Sequence, residues 1–212
     1  MTERTRFLDL RVASKHLEHF DLPDGQSGVI TMDVAQFNGG HSVRQVYEAL
    51  MDFVNNQEIS VSEKLGILTI RESDDTEEFK FCQSRLLSSL PGGVEVESNI
   101  AMFGTCVDAT DDSPAFALGA MDSIDQDDRY PYRPQMCLRK EVTGAIMVNE
   151  IPSLSGGKPT IAMARWSYVR LHPPSFPVSE QGKVSASHSM LQWCDLIPKI
   201  MAERLSTIPP AC

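Results

Sequence analysis

Residues 142–151 and 160–172 are two long runs of strand character that lead, through Pro173-Pro174-Ser175-Phe176-Pro177, into a helical pattern ending near Ser206. Any fold for this chain must set two long strands against one terminal helix. Successive strand residues point to opposite sides of a sheet, so Ile161, Met163, Arg165, Ser167, Val169 and Leu171 share a face. Arg165 thus takes a position on an apolar face that Val or Ile usually holds. The interior beside it is either balanced by a carboxylate or open to something polar.

Upstream, residues 28–37 alternate, with Ile30, Met32 and Val34 on one side and Thr31 and Asp33 on the other, the period of a half-buried strand. Ser42 and Gln45 have capping-box spacing. Behind them Val43, Val46, Tyr47, Leu50, Met51 and Val54 recur at three and four, predicting an amphipathic helix over 42–54. A second helical turn is expected over 60–65, stopped by Gly66. Strands are expected over 67–72, 78–88, 94–108, 115–124, 139–151 and 160–172, with turns at Asp74-Asp75, Pro91-Gly92-Gly93, Asp111-Asp112-Ser113 and Ser155-Gly156-Gly157. Short links between consecutive strands imply an antiparallel meander.

The last helix, expected over 185–206, places Met190, Trp193, Ile197, Ile200, Met201 and Leu205 on one stripe, with Lys199, Glu203 and Arg204 opposite. Pro198 inside it removes a backbone donor and should kink the helix. Residues 1–27 read as an N-terminal arm or linker that ends in a turn-rich segment and has room for one short helix over 8–19. Residues 207–212 read as a C-terminal tail.

With 212 residues, the chain fits one domain that buries roughly 70% of its unfolded surface. A formal charge of −10, with 19 scattered Lys and Arg, disfavours direct nucleic-acid binding. No apolar run reaches the roughly 18 to 20 residues of a membrane span, and residues 1–7 lead into no signal-type apolar region, so an intracellular, soluble protein, cytoplasmic or nuclear, is expected. The cysteines Cys82, Cys106, Cys137, Cys194 and Cys212 are odd in number and never spaced C-x-x-C. They read as reduced thiols.

The order strand, two helices, six strands, long helix over residues 28–206 resembles the helix-grip fold of the START-like superfamily, which includes the birch pollen allergen proteins. Ala164-Arg-Trp-Ser-Tyr-Val-Arg-Leu-His172 is similar to the penultimate strand of START-type domains. Thr31-Met-Asp-Val-Ala-Gln-Phe-Asn-Gly-Gly40, Glu58-Ile-Ser-Val-Ser-Glu-Lys-Leu-Gly66, Val94-Glu-Val-Glu-Ser-Asn99 and Tyr130-Pro-Tyr-Arg-Pro134 resemble segments of a mating-specific START-like family of oomycetes. Some members of that family carry a basic zipper segment ahead of the domain; none precedes residue 28, so the expectation is the domain alone.

The resemblance implies an α+β helix-grip domain over 28–206, a curved antiparallel sheet of about seven strands around a long C-terminal helix, with two short helices after the first strand. It also implies noncovalent binding of a lipid-like or other apolar small molecule between sheet and helix. Two rival functions share that fold. One is a regulatory or dimerisation module with a filled cavity; the other is a cyclase- or hydrolase-type enzyme, which needs a buried acid–base pair.

Arg165 and Ser167 form a polar centre suited to fix the carboxylate, phosphate or hydroxyl of an otherwise apolar ligand. The competing readings of Arg165 are an ion pair with a neighbouring carboxylate, or a face shifted by one residue so that Trp166 and Tyr168 point inward. Met163 and Val169 flank the polar centre, and Met190, Trp193 and Ile197 would line a cavity from the helix side unless they are simply its core stripe. Ser98, beside Asn99, is a further polar candidate in the strand from Val94; both could instead mark an edge or a bulge.

His16 and His19 with Asp21 have helical spacing but read as a solvated face, and no metal site is assigned. No nucleophile elbow, P-loop, dinucleotide fingerprint or zinc-protease motif is present, and nothing calls for a cofactor. Asp122, Asp125, Asp127 and Asp128 crowd one loop, interleaved with Gln126, Arg129 and prolines, and read as a solvated acidic loop. Tyr130 and Tyr132 are placed to gate a cavity mouth.

Overall fold

A computed structural model describes residues 8–22, 25–75, 81–153 and 158–210. Pro23-Asp24, residues 78–80 of an expected strand, the expected turn at Ser155-Gly156-Gly157 and Cys212 lie outside the described residues, as do the side chains of Asp74 and Asp75. The elements run β1 (Ser14–Asp21), β2 (Ser27–Phe37), α1 (Val43–Asn55), α2 (Gln57–Leu65), β3 (Leu68–Asp75), β4 (Phe81–Leu90), β5 (Val94–Val107), β6 (Phe116–Ser123), β7 (Cys137–Ile151), β8 (Thr160–Leu171) and α3 (Glu180–Thr207). The fold class is α+β.

Among the described residues one sheet of eight strands has the order β1-β2-β8-β7-β6-β5-β4-β3, with antiparallel neighbours throughout. The chain leaves the sheet after Ser123 and returns at Cys137, where β7 meets β5 in a short parallel pairing, Glu95↔Cys137 to Glu97↔Arg139. The three described helices lie on one face. There α3 packs against α1, α2, β2, β4 and β5, over cores that include Phe53, Leu138, Met190 and Ile200 in one cluster and Val46, Ile161, Met163 and Met201 in another.

Local chemistry explains the helix boundaries. The hydroxyl of Ser42 accepts from the Gln45 amide N–H and the Gln45 side chain accepts from the Ser42 N–H, closing the expected capping box ahead of α1. Gly66 ends α2 in the left-handed conformation at φ 66°. The last helix starts at Glu180, five residues before the periodic apolar stripe suggests, because Ser179 caps the Gly182 N–H at 3.1 Å. Gly182 is required by packing: a Cβ there would lie 2.4 Å from Val94 Cγ2.

Three expectations are corrected. Residues 14–21 are neither arm nor helix but edge strand β1, paired with β2 from Ser14↔Val34 to Asp21↔Ser27. The segment shows no alternation because nearly all of it is exposed; pairing, not a buried stripe, makes it a strand. In β2 the side carrying Thr31 and Asp33 faces the helices along with fully buried Val29. Val34, on the opposite side, packs with Ala162, Ala164, Leu8 and Leu10. β3 also runs through the turn expected at Asp74-Asp75.

Candidate functional site

β7 and β8 pair with the register Val142↔Val169, Gly144↔Ser167 and Ile146↔Arg165. Strand alternation therefore directs Lys140, Val142, Gly144, Ile146, Arg165, Ser167 and Val169 toward the helices. Trp193, Cys194 and Ile197 of α3 close a pocket of about 50 Å³ over them, with Gln57 of α2 at its border. Gly144 leaves space at its floor, where a Cβ would come within 3.4 Å of both Met121 Cγ and Ser167 Cβ.

The expected site residues divide. Arg165, Ser167, Val169, Trp193 and Ile197 meet at this pocket. Met163 and Met190 are fully buried in the two core clusters and do not line it. Ser98 is buried on β5, its Oγ lacking a hydrogen-bond partner among the described residues, and also lies outside the lining. β5 is an interior strand, so Ser98 and Asn99 mark no edge. Tyr168 stacks on Phe20 of β1, centroids 5.9 Å apart, which rules out the shifted face.

Arg165, 2% exposed, has a structural explanation. Its Nε donates to Asp33 of β2 at 3.2 and 3.3 Å, and one terminal nitrogen donates both to the same carboxylate and to the Cys194 carbonyl at 2.6 Å. That carbonyl is available for a reason written in the sequence. Pro198 has no N–H, so the acceptor four residues earlier in the helix, Cys194, loses its helical donor. Arg165 replaces it, and the resulting Asp33–Arg165–Cys194 chain ties β2, β8 and α3 together. Both the carboxylate partner and the pocket wall are features of the same side chain.

Lys140 is the residue that sequence reasoning missed. It is 4% exposed, and its ammonium sits 3.6 Å from the centroid of the Trp193 ring. Among the described residues it has no carboxylate partner and no hydrogen bond. Burial pulls its pKa down to about 8, against a smaller upward pull from Cys194. The signal was available: Lys140 has the parity of Val142, Ile146 and Val148, so it breaks an apolar face in the way Arg165 does.

The opposite face of the sheet carries a second buried polar region. Glu97, fully buried, accepts from Arg85 at 2.6 Å and from the Arg133 backbone N–H at 2.5 Å. Asp127, expected to be solvated, is buried and accepts from the backbone of Arg129 and Tyr130 and from the side chains of Gln83 and Asn99. Tyr132 donates to the Ile124 carbonyl at 3.0 Å, and burial pushes its phenol pKa up. Asn99 of β5 donates from its side chain to the Tyr130 carbonyl and from its backbone N–H to the Tyr132 hydroxyl at 3.4 Å, which fastens the 124–136 crossover to the outer face, and neither tyrosine lines the pocket under the helix.

His16 and His19 lie in β1, where a spacing of three puts them on opposite faces, and no cluster of three or more metal-ligating side chains occurs among the described residues. No described helix is long and apolar enough to cross a membrane. No protein-family model matches the chain, and no curated protein is significantly similar to it.

Proposed function

We propose that the protein is a START-like helix-grip domain whose pocket beneath the terminal helix binds a small, largely apolar molecule through one anionic or polar group. The observation that carries this reading is Lys140: a buried cation without a carboxylate partner among the described residues, walled by Trp193, Val142, Val169 and Ile197 and bordered by Ser167 and Gln57. An unpaired buried charge is costly, and a ligand anion would supply the missing partner by a charge-assisted hydrogen bond. Arg165, already engaged by Asp33 and Cys194, serves as wall and brace and leaves Lys140 as the anchor.

The pocket volume sets the ligand size. Drug-sized ligands occupy clefts of roughly 300 to 1,000 Å³, so about 50 Å³ admits a short-chain acid and no lipid unless α3 moves. The same number favours a second reading, a regulatory module whose interior is nearly filled by side chains. Native mass spectrometry of the protein from its source and thermal shifts against C2–C6 monocarboxylates separate the two. A binder retains a ligand or gains stability, by about 2.7 kcal/mol at a hundredfold excess over Kd, and loses that gain in Lys140→Met. Silence in both measurements would leave the filled module.

A further inference from the structure

We propose that Lys140 forms a reversible imine with small apolar aldehydes or ketones that enter the pocket. The inference rests on the pocket reading above only in requiring that the pocket admit a small molecule; the covalent step is additional. Its basis is geometric. Lys140 is buried at the largely apolar pocket beneath α3, and no carboxylate among the described residues locks its nitrogen in an ion pair. The Trp193 ring, 3.6 Å away, is positioned to stabilise a cation on that nitrogen.

The step balances without an oxidant or a reductant. The neutral Nζ lone pair adds to the carbonyl carbon, a carbinolamine forms, and its oxygen leaves as water, so that one water is lost for each imine made. Protonated, the product is an iminium that keeps the positive charge over Trp193. The mostly apolar lining opposes the reverse hydrolysis by limiting water. Desolvated lysines are the amines that Schiff-base chemistry uses. With a pKa near 8, about a tenth of the amine is neutral at pH 7, on the order of 300-fold more than for an ordinary lysine at 10.5. The charged or titratable groups around the pocket are Arg165 of β8 with its partner Asp33 of β2, and Cys194 of α3; α2, β5 and β6 contribute the uncharged Gln57, Ile100 and Met121.

The experiment treats the full-length protein with propanal and sodium cyanoborohydride, which reduces an iminium to a stable propyl amine, and maps the modified lysines by peptide mass spectrometry over time. Thermal shift with propanoate runs in parallel on wild type, Lys140→Met and Lys140→Arg. The expected result is propylation of Lys140 on the order of tenfold faster than of exposed Lys183 and Lys199, with an apparent midpoint near pH 8. Lys140→Arg, which keeps a cation but cannot form an imine, should lose that fast site and leave the slow ones unchanged. Modification of the exposed lysines alone, with a propanoate shift that disappears in Lys140→Met, would overturn the imine and leave anion binding standing. If neither fast labelling nor a shift is seen, both fall.

Discussion

The sheet buries charge on both faces, and the two faces treat it differently. On the outer face Glu97 is matched by Arg85 and by the Arg133 backbone, and Asp127 collects four donors from its own loop and from neighbouring strands. On the inner face Asp33 matches Arg165, while Lys140, on the adjoining strand, is matched among the described residues by an aromatic ring and no carboxylate. A buried charge that is matched fixes a loop or a strand in place, and such pairing is weak evidence for function. An unmatched one lowers stability with no architectural return, which makes it the better pointer to a ligand.

The contrast between matched and unmatched charge should show most strongly at Asp33. Asp33→Ala leaves Arg165 buried with only the Cys194 carbonyl, and chemical denaturation should register a loss of about 3–5 kcal/mol. Lys140→Met should move the other way. The folded-state pKa of Lys140, about 8 against an ordinary value of 10.5, means that the ammonium penalises folding fully below pH 8. The penalty fades as pH rises from 8 to 10.5, where the unfolded chain binds the proton and the folded one does not. The variant should therefore gain about 2–3 kcal/mol at pH 7, after loss of the Trp193 contact, and nothing by about pH 11. A gain independent of pH would mean that the introduced methionine merely packs better.

Smaller effects test the outer face and the brace. Glu97→Gln keeps an acceptor for Arg133 but removes the charge facing Arg85, and should cost about 2 kcal/mol with local loosening of the 124–136 crossover, read by hydrogen exchange. Pro198→Ala restores a helical donor to Cys194 in competition with Arg165; its stability change should be under about 1 kcal/mol, and its main signature a weakened Arg165–Cys194 contact in a crystal structure. Removing the exposed Arg44–Asp108 pair should change stability by less than about 0.5 kcal/mol, the reference against which buried pairs are judged.

Much of the inner face was legible because period-two alternation survives in β8: Ile161, Met163, Arg165, Ser167 and Val169 point where the pattern puts them. The capping box at Ser42 and the proline inside the last helix were equally plain, since each is a local rule with a local consequence. Other features were not. β1 has almost no buried residue to make a pattern, and the buried side of β2 carries Thr31 and Asp33 because their partners, Ser167 and Arg165, lie more than 130 residues away in the chain. Asp127 looked solvated among its acidic neighbours and was claimed by backbone donors and by strands β4 and β5.

The amino-acid sequence thus determined which segments are strands and helices wherever one residue's neighbours suffice, and it placed a cation on an apolar face. Only the tertiary structure decided what that cation does, because pairing depends on which distant groups the fold brings within hydrogen-bond distance. Asp33 and the proline-freed Cys194 carbonyl engage Arg165, and the same packing leaves Lys140 against Trp193 with no carboxylate among the described residues to answer its charge.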